Sequence, residues 1–134
     1  MRKKQLLTLG VLIILFGCGP NIKETKEEIE KMDILQTYRL AIKYYSEGFI
    51  NESEILFNEV LKKYSTLENP TKEEKNAYLW ALYEISFIEY SRENYDNSIR
   101  YLEKLFSETG EFGNRLPQVI LAKKIQSKIK EKKR

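Results

Sequence analysis

Histidine is missing altogether from this 134-residue chain, cysteine and tryptophan occur once each, and proline occurs three times. Without histidine the chain lacks the commonest general base and the commonest metal ligand. A single thiol excludes both an internal disulfide and the paired-cysteine spacing of zinc sites. The prolines stand at 20, 70 and 117, so the long stretches between them are free to be regular helix. There is no Gly-rich phosphate loop and no EF-hand spacing of acidic residues. Carboxylates are plentiful, but Glu27, Glu28, Glu73 and Glu74 fall in first turns, where they favour a helix start. Nothing here implies an enzyme, a metal or a cofactor.

Long hydrophobic runs are also scarce. The only one covers residues 6–16, eleven in all, whereas a membrane-spanning helix needs about twenty. It follows Arg2, Lys3 and Lys4 and ends in Leu15-Phe16-Gly17-Cys18. A basic start, a short apolar centre and small residues at the end make an export signal. The ending resembles the lipobox of bacterial lipoproteins. That resemblance implies cleavage before Cys18 and acylation of its thiol, with no lipid or cofactor elsewhere. The expected organisation is a signal at 1–17, a lipidated tether at 18–24 and a folded domain at 25–134. The signal carries three of the 23 lysines and arginines, which leaves 20 against 20 aspartates and glutamates. A neutral mature chain gives no reason to expect a nucleic-acid partner.

The domain reads as all-α, with about five helices. Everything periodic has the 3.6-residue period, and no strand-like alternation appears. Thr25-x-x-Glu28 has the form of a capping box. It opens a helix expected to run to Gly48, with Ile29, Met32, Ile34, Leu35, Tyr38, Ala41, Ile42 and Tyr45 on its apolar face. Asn51-x-x-Glu54 would open a second helix, with Ile50 and Ile55 as a hydrophobic staple and Leu56, Phe57, Val60, Leu61 and Tyr64 inward. Pro70-Thr71-x-x-Glu74 would open a third, to about Arg92. A fourth would run from about Asp96 to Ser107, with Ile99, Leu102, Leu105 and Phe106 inward. Gly110 and Gly113 mark a loop, and Pro117 suits the first turn of a fifth.

Shifting the chain by 45 residues aligns "YYSEGFINESEILFNEVL" at 44–61 with "EYSRENYDNSIRYLEKLF" at 89–106. Tyr45 falls on Tyr90, Ile50 on Tyr95, Ser53 on Ser98, Phe57 on Leu102 and Val60 on Leu105. Two helical hairpins of one design are the expected reading. The pattern resembles the tetratricopeptide repeat: Gly48 matches its turn glycine, Ser53 and Ser98 its small second-helix residue, and Tyr95 its turn aromatic. Glu93 stands where the second copy would have glycine. An insertion between Ser65 and Lys75 would account for a period longer than the usual repeat. On this view two repeats are followed by a C-terminal capping helix. The lipobox, together with the repeats over about residues 36–106, resembles the BamD family of lipoproteins, which assist β-barrel assembly in bacterial outer membranes. That resemblance implies an anchor on the periplasmic face of the outer membrane and a barrel-forming assembly protein as partner. Another envelope scaffold, for cell division or secretion, is a second reading, and a surface-displayed binding lipoprotein a third.

In tetratricopeptide proteins the first helix of each hairpin lines a concave surface. The resemblance therefore assigns Leu35, Tyr38, Ile42 and Tyr45, then Trp80, Tyr83, Phe87 and Tyr90, to a partner groove. The spacing also fits a plain core stripe, because Leu82, Ile85 and Ile88 make the third helix apolar nearly all round. The C-terminus is strongly basic: Lys123, Lys124, Lys128, Lys130, Lys132, Lys133 and Arg134 stand against Glu131 alone. Leu116, Val119, Ala122, Ile125 and Ile129 form the opposite apolar stripe. The last helix reads either as a solvated cap or as a basic surface that steers an acidic partner or anionic headgroups.

Overall fold

The structure, a computed structural model, describes residues 22–134, and these are built from six α-helices with no strand among them. The helices are α1 (Lys26–Lys31), α2 (Ile34–Ser46), α3 (Ile50–Ser65), α4 (Lys72–Ser91), α5 (Tyr95–Thr109) and α6 (Pro117–Lys132). A short 3-10 turn, Glu111–Arg115, links α5 to α6. The expected export signal, Cys18 and the first part of the expected tether lie outside the described residues. The rest of the tether belongs to the fold. Ile22 packs on the first core, the Lys23 N–H donates to Tyr44 Oη (2.7 Å), and the Tyr44 hydroxyl donates to Glu24 (2.7 Å).

Two capping boxes form where the sequence places them. Thr25 and Glu28 cap each other's backbone N–H, as do Thr71 and Glu74. The first helix is nevertheless only six residues long, not one rod reaching Gly48. A second box intervenes: Asp33 Oδ1 accepts from the Gln36 N–H (2.7 Å), and Gln36 Oε1 accepts from the Asp33 N–H (2.9 Å). Aspartate competes well for such backbone bonds, so it starts a new helix rather than continuing an old one. The broken end is sealed from outside. Lys63 Nζ, from α3, donates to the carbonyls of Ile29, Glu30 and Met32 at 3.0, 3.1 and 3.0 Å, which supplies partners that a helix C-terminus lacks.

The expected cap at Asn51 and Glu54 is not built. α3 begins two residues earlier, with Phe49 in the cap position and no side-chain cap. Both side chains turn to Arg92 instead: Nη2 donates to Asn51 Oδ1 (2.7 Å) and Nη1 to Glu54 (2.6 Å). Ile55 is 46% exposed, so the staple is absent too.

The 45-residue correspondence is also one of backbone. In the α2–α3 turn, Phe49 N–H donates to Tyr44 C=O (2.9 Å) and Gly48 N–H to Tyr45 C=O (3.0 Å). In the α4–α5 turn, Asn94 N–H donates to Glu89 C=O (2.9 Å) and Glu93 N–H to Tyr90 C=O (3.0 Å). Both are left-handed helix terminations of the Schellman type. Gly48 has φ 85° and Glu93 φ 62°, so a side chain occupies a conformation that favours glycine. Ser53 and Ser98 are fully buried. Ser98 Oγ donates to the Ser86 carbonyl across the α4–α5 contact (2.8 Å), whereas Ser53 bonds within its own helix. Part of the longer spacing is the loop between α3 and α4. The rest lengthens α4, since Leu79, which corresponds to the first residue of α2, lies two turns inside it.

Two apolar clusters share α4. Ala81, Ile85 and Ile88 face Ile34, Ala41, Tyr44, Leu56, Phe57 and Val60. Tyr78, Leu79 and Leu82 face Leu102 and Leu105 of α5 and Val119, Ala122, Ile125 and Ile129 of α6. Tyr64 and Tyr78 stack between the clusters, with ring centroids 4.0 Å apart. Of the residues expected inward, Leu61, Tyr64, Ile99, Phe106 and Leu116 are only half-buried.

The strained turn yields a test. Glu93→Gly should stabilise the fold by up to about 1 kcal/mol, and Gly48→Ala should cost about 1 kcal/mol. Thermal unfolding followed by circular dichroism should show shifts of opposite sign, each of a few degrees.

Candidate functional site

Residues of the two predicted stripes stand at the edge of the core rather than inside it, and Tyr45 comes close enough to Tyr83 to act on it electrostatically. Leu35, Tyr38 and Tyr45 are half-buried and Ile42 is 36% exposed. Trp80, Tyr83, Phe87 and Tyr90 are all half-buried. Buried positions on α4 fall instead on its other faces, at Tyr78, Leu79, Leu82, Ile85 and Ile88.

The α4 stripe is a ladder of touching rings. Trp80 meets Tyr83 edge-on at 5.7 Å, Tyr83 lies nearly parallel to Phe87 at 6.3 Å, and Phe87 is 6.5 Å from Tyr90. Tyr90 in turn is 5.9 Å from Tyr95, at the start of α5. Such offset and edge contacts are favourable ring geometries. The ladder is held from behind, because Tyr83, Phe87, Tyr90 and Tyr95 pack on the second cluster. Across the seam Tyr38 and Tyr45 pack on the first cluster, with the Tyr38 ring 6.1 Å from Phe57.

Glu84 lies in this seam and was not among the sequence candidates. It follows Trp80 by four residues and precedes Phe87 by three, so all three share a face. That spacing was the available signal. Its carboxylate is close enough to act electrostatically on Tyr38, Tyr45 and Tyr83. Burial, reinforced by Glu84, pushes the Tyr38 phenol up to about 12. The same two causes raise Tyr45 and Tyr83. Burial likewise holds Glu84 above the usual carboxylate range. Among the described residues no cation pairs with it. Arg39, at the corresponding position of α2, is exposed and lines a separate cleft with Met32, Gln36 and Lys43.

The sequence also gave no sign of the cluster behind the ladder's end. Glu89 is buried (6% exposed) and accepts from Arg92 (3.1 Å), Asn94 (2.6 Å) and Asn97 (2.9 Å). Arg92 carries the link to Asn51 and Glu54, so the cluster ties one hairpin to the other. Its parts are scattered along the chain and meet only in space.

The basic residues divide. Lys123 donates to Asn114 (2.7 Å) and Lys133 to Asp96 (2.7 Å), which draws Asp96 below its ordinary range. Lys124, Lys128, Lys130, Lys132 and Arg134 are exposed, without a carboxylate partner among the described residues. Ile129 lies beneath them at 1% exposure, so charge can be probed by substitution but not by truncation. α6 runs alongside α4: Gln118 Nε2 donates to Asn76 (2.7 Å) near the start of both. Lys133 meets the start of α5, so the basic end lies by Tyr90 and Tyr95. Among the described residues no His, Cys, Asp and Glu group is placed to hold a metal ion.

The half-buried Glu84 carboxylate predicts a pH signature. A raised folded-state pKa means the cost of Glu84 is absent at low pH and appears as pH rises above the unfolded value of 4.5 through the higher folded value. Glu84→Gln should therefore raise the melting temperature at pH 7, with the gain vanishing below about pH 4. Neighbouring tyrosines stay protonated across this window, so paired melts at both pH values isolate the effect.

No family model matches the chain, and no curated protein or solved structure matches it either.

Proposed function

We propose that this chain is a membrane-anchored scaffold that binds other proteins through the aromatic face of α2 and α4. One observation carries the reading: the unbroken ring ladder from Trp80 to Tyr95 is braced by the core yet half-open along its length. Tyrosine and tryptophan combine apolar area with a polar handle, which is the usual make-up of a protein-binding surface. Two hairpins with one turn design support a tetratricopeptide-like arrangement, in which such a face lines a groove. The lipobox-like Leu15-Phe16-Gly17-Cys18 supports a lipid anchor in the bacterial envelope.

The most specific form of this proposal is a short BamD-type subunit of the outer-membrane β-barrel assembly machinery. Its partner would be the barrel-forming assembly protein, met at the periplasmic face of the membrane. The exposed lysines of α6 share a helix whose end reaches Asp96 through Lys133, next to Tyr95, and would steer an acidic region of that partner.

A photo-reactive phenylalanine analogue at position 87 tests the reading in intact cells. The expected product is a crosslink to a barrel protein with periplasmic domains, lost when Tyr83→Ala and Tyr90→Ala are introduced together. Each alanine should cost no more than about 1–2 kcal/mol, because these rings are only half-buried. Crosslinks to peptidoglycan-linked or secretion proteins would replace the assembly role with another envelope role. In parallel, Cys18→Ala should abolish metabolic labelling with palmitate and release the chain from membranes. Retained label would refute the anchor.

A further inference from the structure

We infer that the seam between α2 and α4 takes up a lysine or arginine side chain from an extended segment of the partner polypeptide, with Glu84 as counter-ion and the rings of Tyr38, Tyr45 and Tyr83 as walls. This rests on the groove proposed above and adds the chemistry of what enters it.

Three features point to a cation. First, Glu84 is half-buried in an otherwise aromatic strip and has no cationic partner among the described residues. Burying a carboxylate without a partner costs free energy, so the site is poised to gain from an incoming positive charge. Second, tyrosines from both helices stand within electrostatic reach of that carboxylate, two from α2 and one from α4. Aromatic faces beside a carboxylate suit an ammonium or guanidinium group, which is attracted to the ring faces as well as to the charge. Third, Arg92, the positive side chain nearest to Glu84 in sequence, is engaged elsewhere. Its guanidinium is committed to Glu54, Glu89 and Asn51.

The geometry also favours a side chain on an extended strand over a free small cation. The ladder continues past Glu84 in both directions, from Trp80 to Tyr90, and offers apolar contact to residues flanking the basic one. A long lysine or arginine stem would lie along the tyrosine rings while its head reaches the carboxylate.

Trp80 is the sole tryptophan and touches Tyr83, so its emission reports on the strip. The test titrates the full-length chain in detergent with the capped peptide acetyl-Ala-Leu-Lys-Leu-Ala-amide and with its norleucine counterpart. The lysine peptide should bind roughly 5- to 30-fold more tightly at low salt, and Glu84→Gln should erase that preference while leaving norleucine binding unchanged. Circular dichroism melts establish that the variant is folded, and Tyr45→Leu gives a second, independent reduction in lysine preference. Equal binding of the two peptides would overturn the inference but leave the docking groove standing. A lysine preference that survives Glu84→Gln would overturn it too, by placing the cation elsewhere. Failure of either peptide to alter Trp80 emission would overturn both inference and groove. The basic tail of a second copy is a competing occupant. It would be revealed by self-association in sedimentation that Glu84→Gln and neutralisation of Lys124, Lys128, Lys130 and Lys132 both abolish, and that result would displace the partner polypeptide.

Discussion

α4 has to be covered on most of its circumference, and the arrangement of the other helices follows from that. Nine of its residues are buried, and six of them divide equally between two different apolar clusters. α2 and α3 cover one side, α5 and α6 the other. A single helix shared between two cores removes more apolar surface from water than either hairpin could alone. It also makes each hairpin depend on its neighbour, as stacked helical repeats do. The strip of Trp80, Tyr83, Phe87 and Tyr90 is left half-open on α4.

Polar groups then fix the relative placement of the hairpins, which apolar contact leaves loose. Glu89 and Arg92 sit at the second turn and reach the start of α3 through Glu54 and Asn51. At the corresponding place in the first hairpin stands Tyr44, which binds the incoming chain at Lys23 and Glu24. One structural position thus serves two joints, one between hairpins and one to the N-terminal segment. Lys63 adds a third, where it closes the end of α1. Each of these groups is satisfied by several partners, which is the condition under which buried polar contacts hold geometry instead of weakening it.

Stability and binding pull apart at Glu84. Its carboxylate is costly where it stands, which is the reason to look for a ligand there. The rings around it tell the same story in milder form, because half-buried aromatics contribute to the core while keeping area for a partner. The charge of the molecule is also uneven. The basic end of α6 lies beside the ladder, and the rest of the described chain carries the compensating acids.

The sequence by itself determined the all-α class, the caps at Thr25 and Thr71, the helix start at Pro117 and the 45-residue hairpin correspondence. Those features rest on local rules: side chains capping their own turn, the 3.6-residue period, and a turn that repeats. Only tertiary structure decided the rest. Asp33 broke the first helix because Lys63, 30 residues away, was there to seal the end it left. Asn51 and Glu54 had the spacing of a cap, but Arg92 from the next hairpin offered a charged partner that a backbone N–H could not match. The aromatic stripe had the same periodicity whether core or groove. Periodicity says which residues share a face, whereas exposure depends on what the rest of the chain brings against it. That is why Trp80, Tyr83, Phe87 and Tyr90 were legible as a stripe, while Glu84 became visible as a site only once α2 was laid beside it.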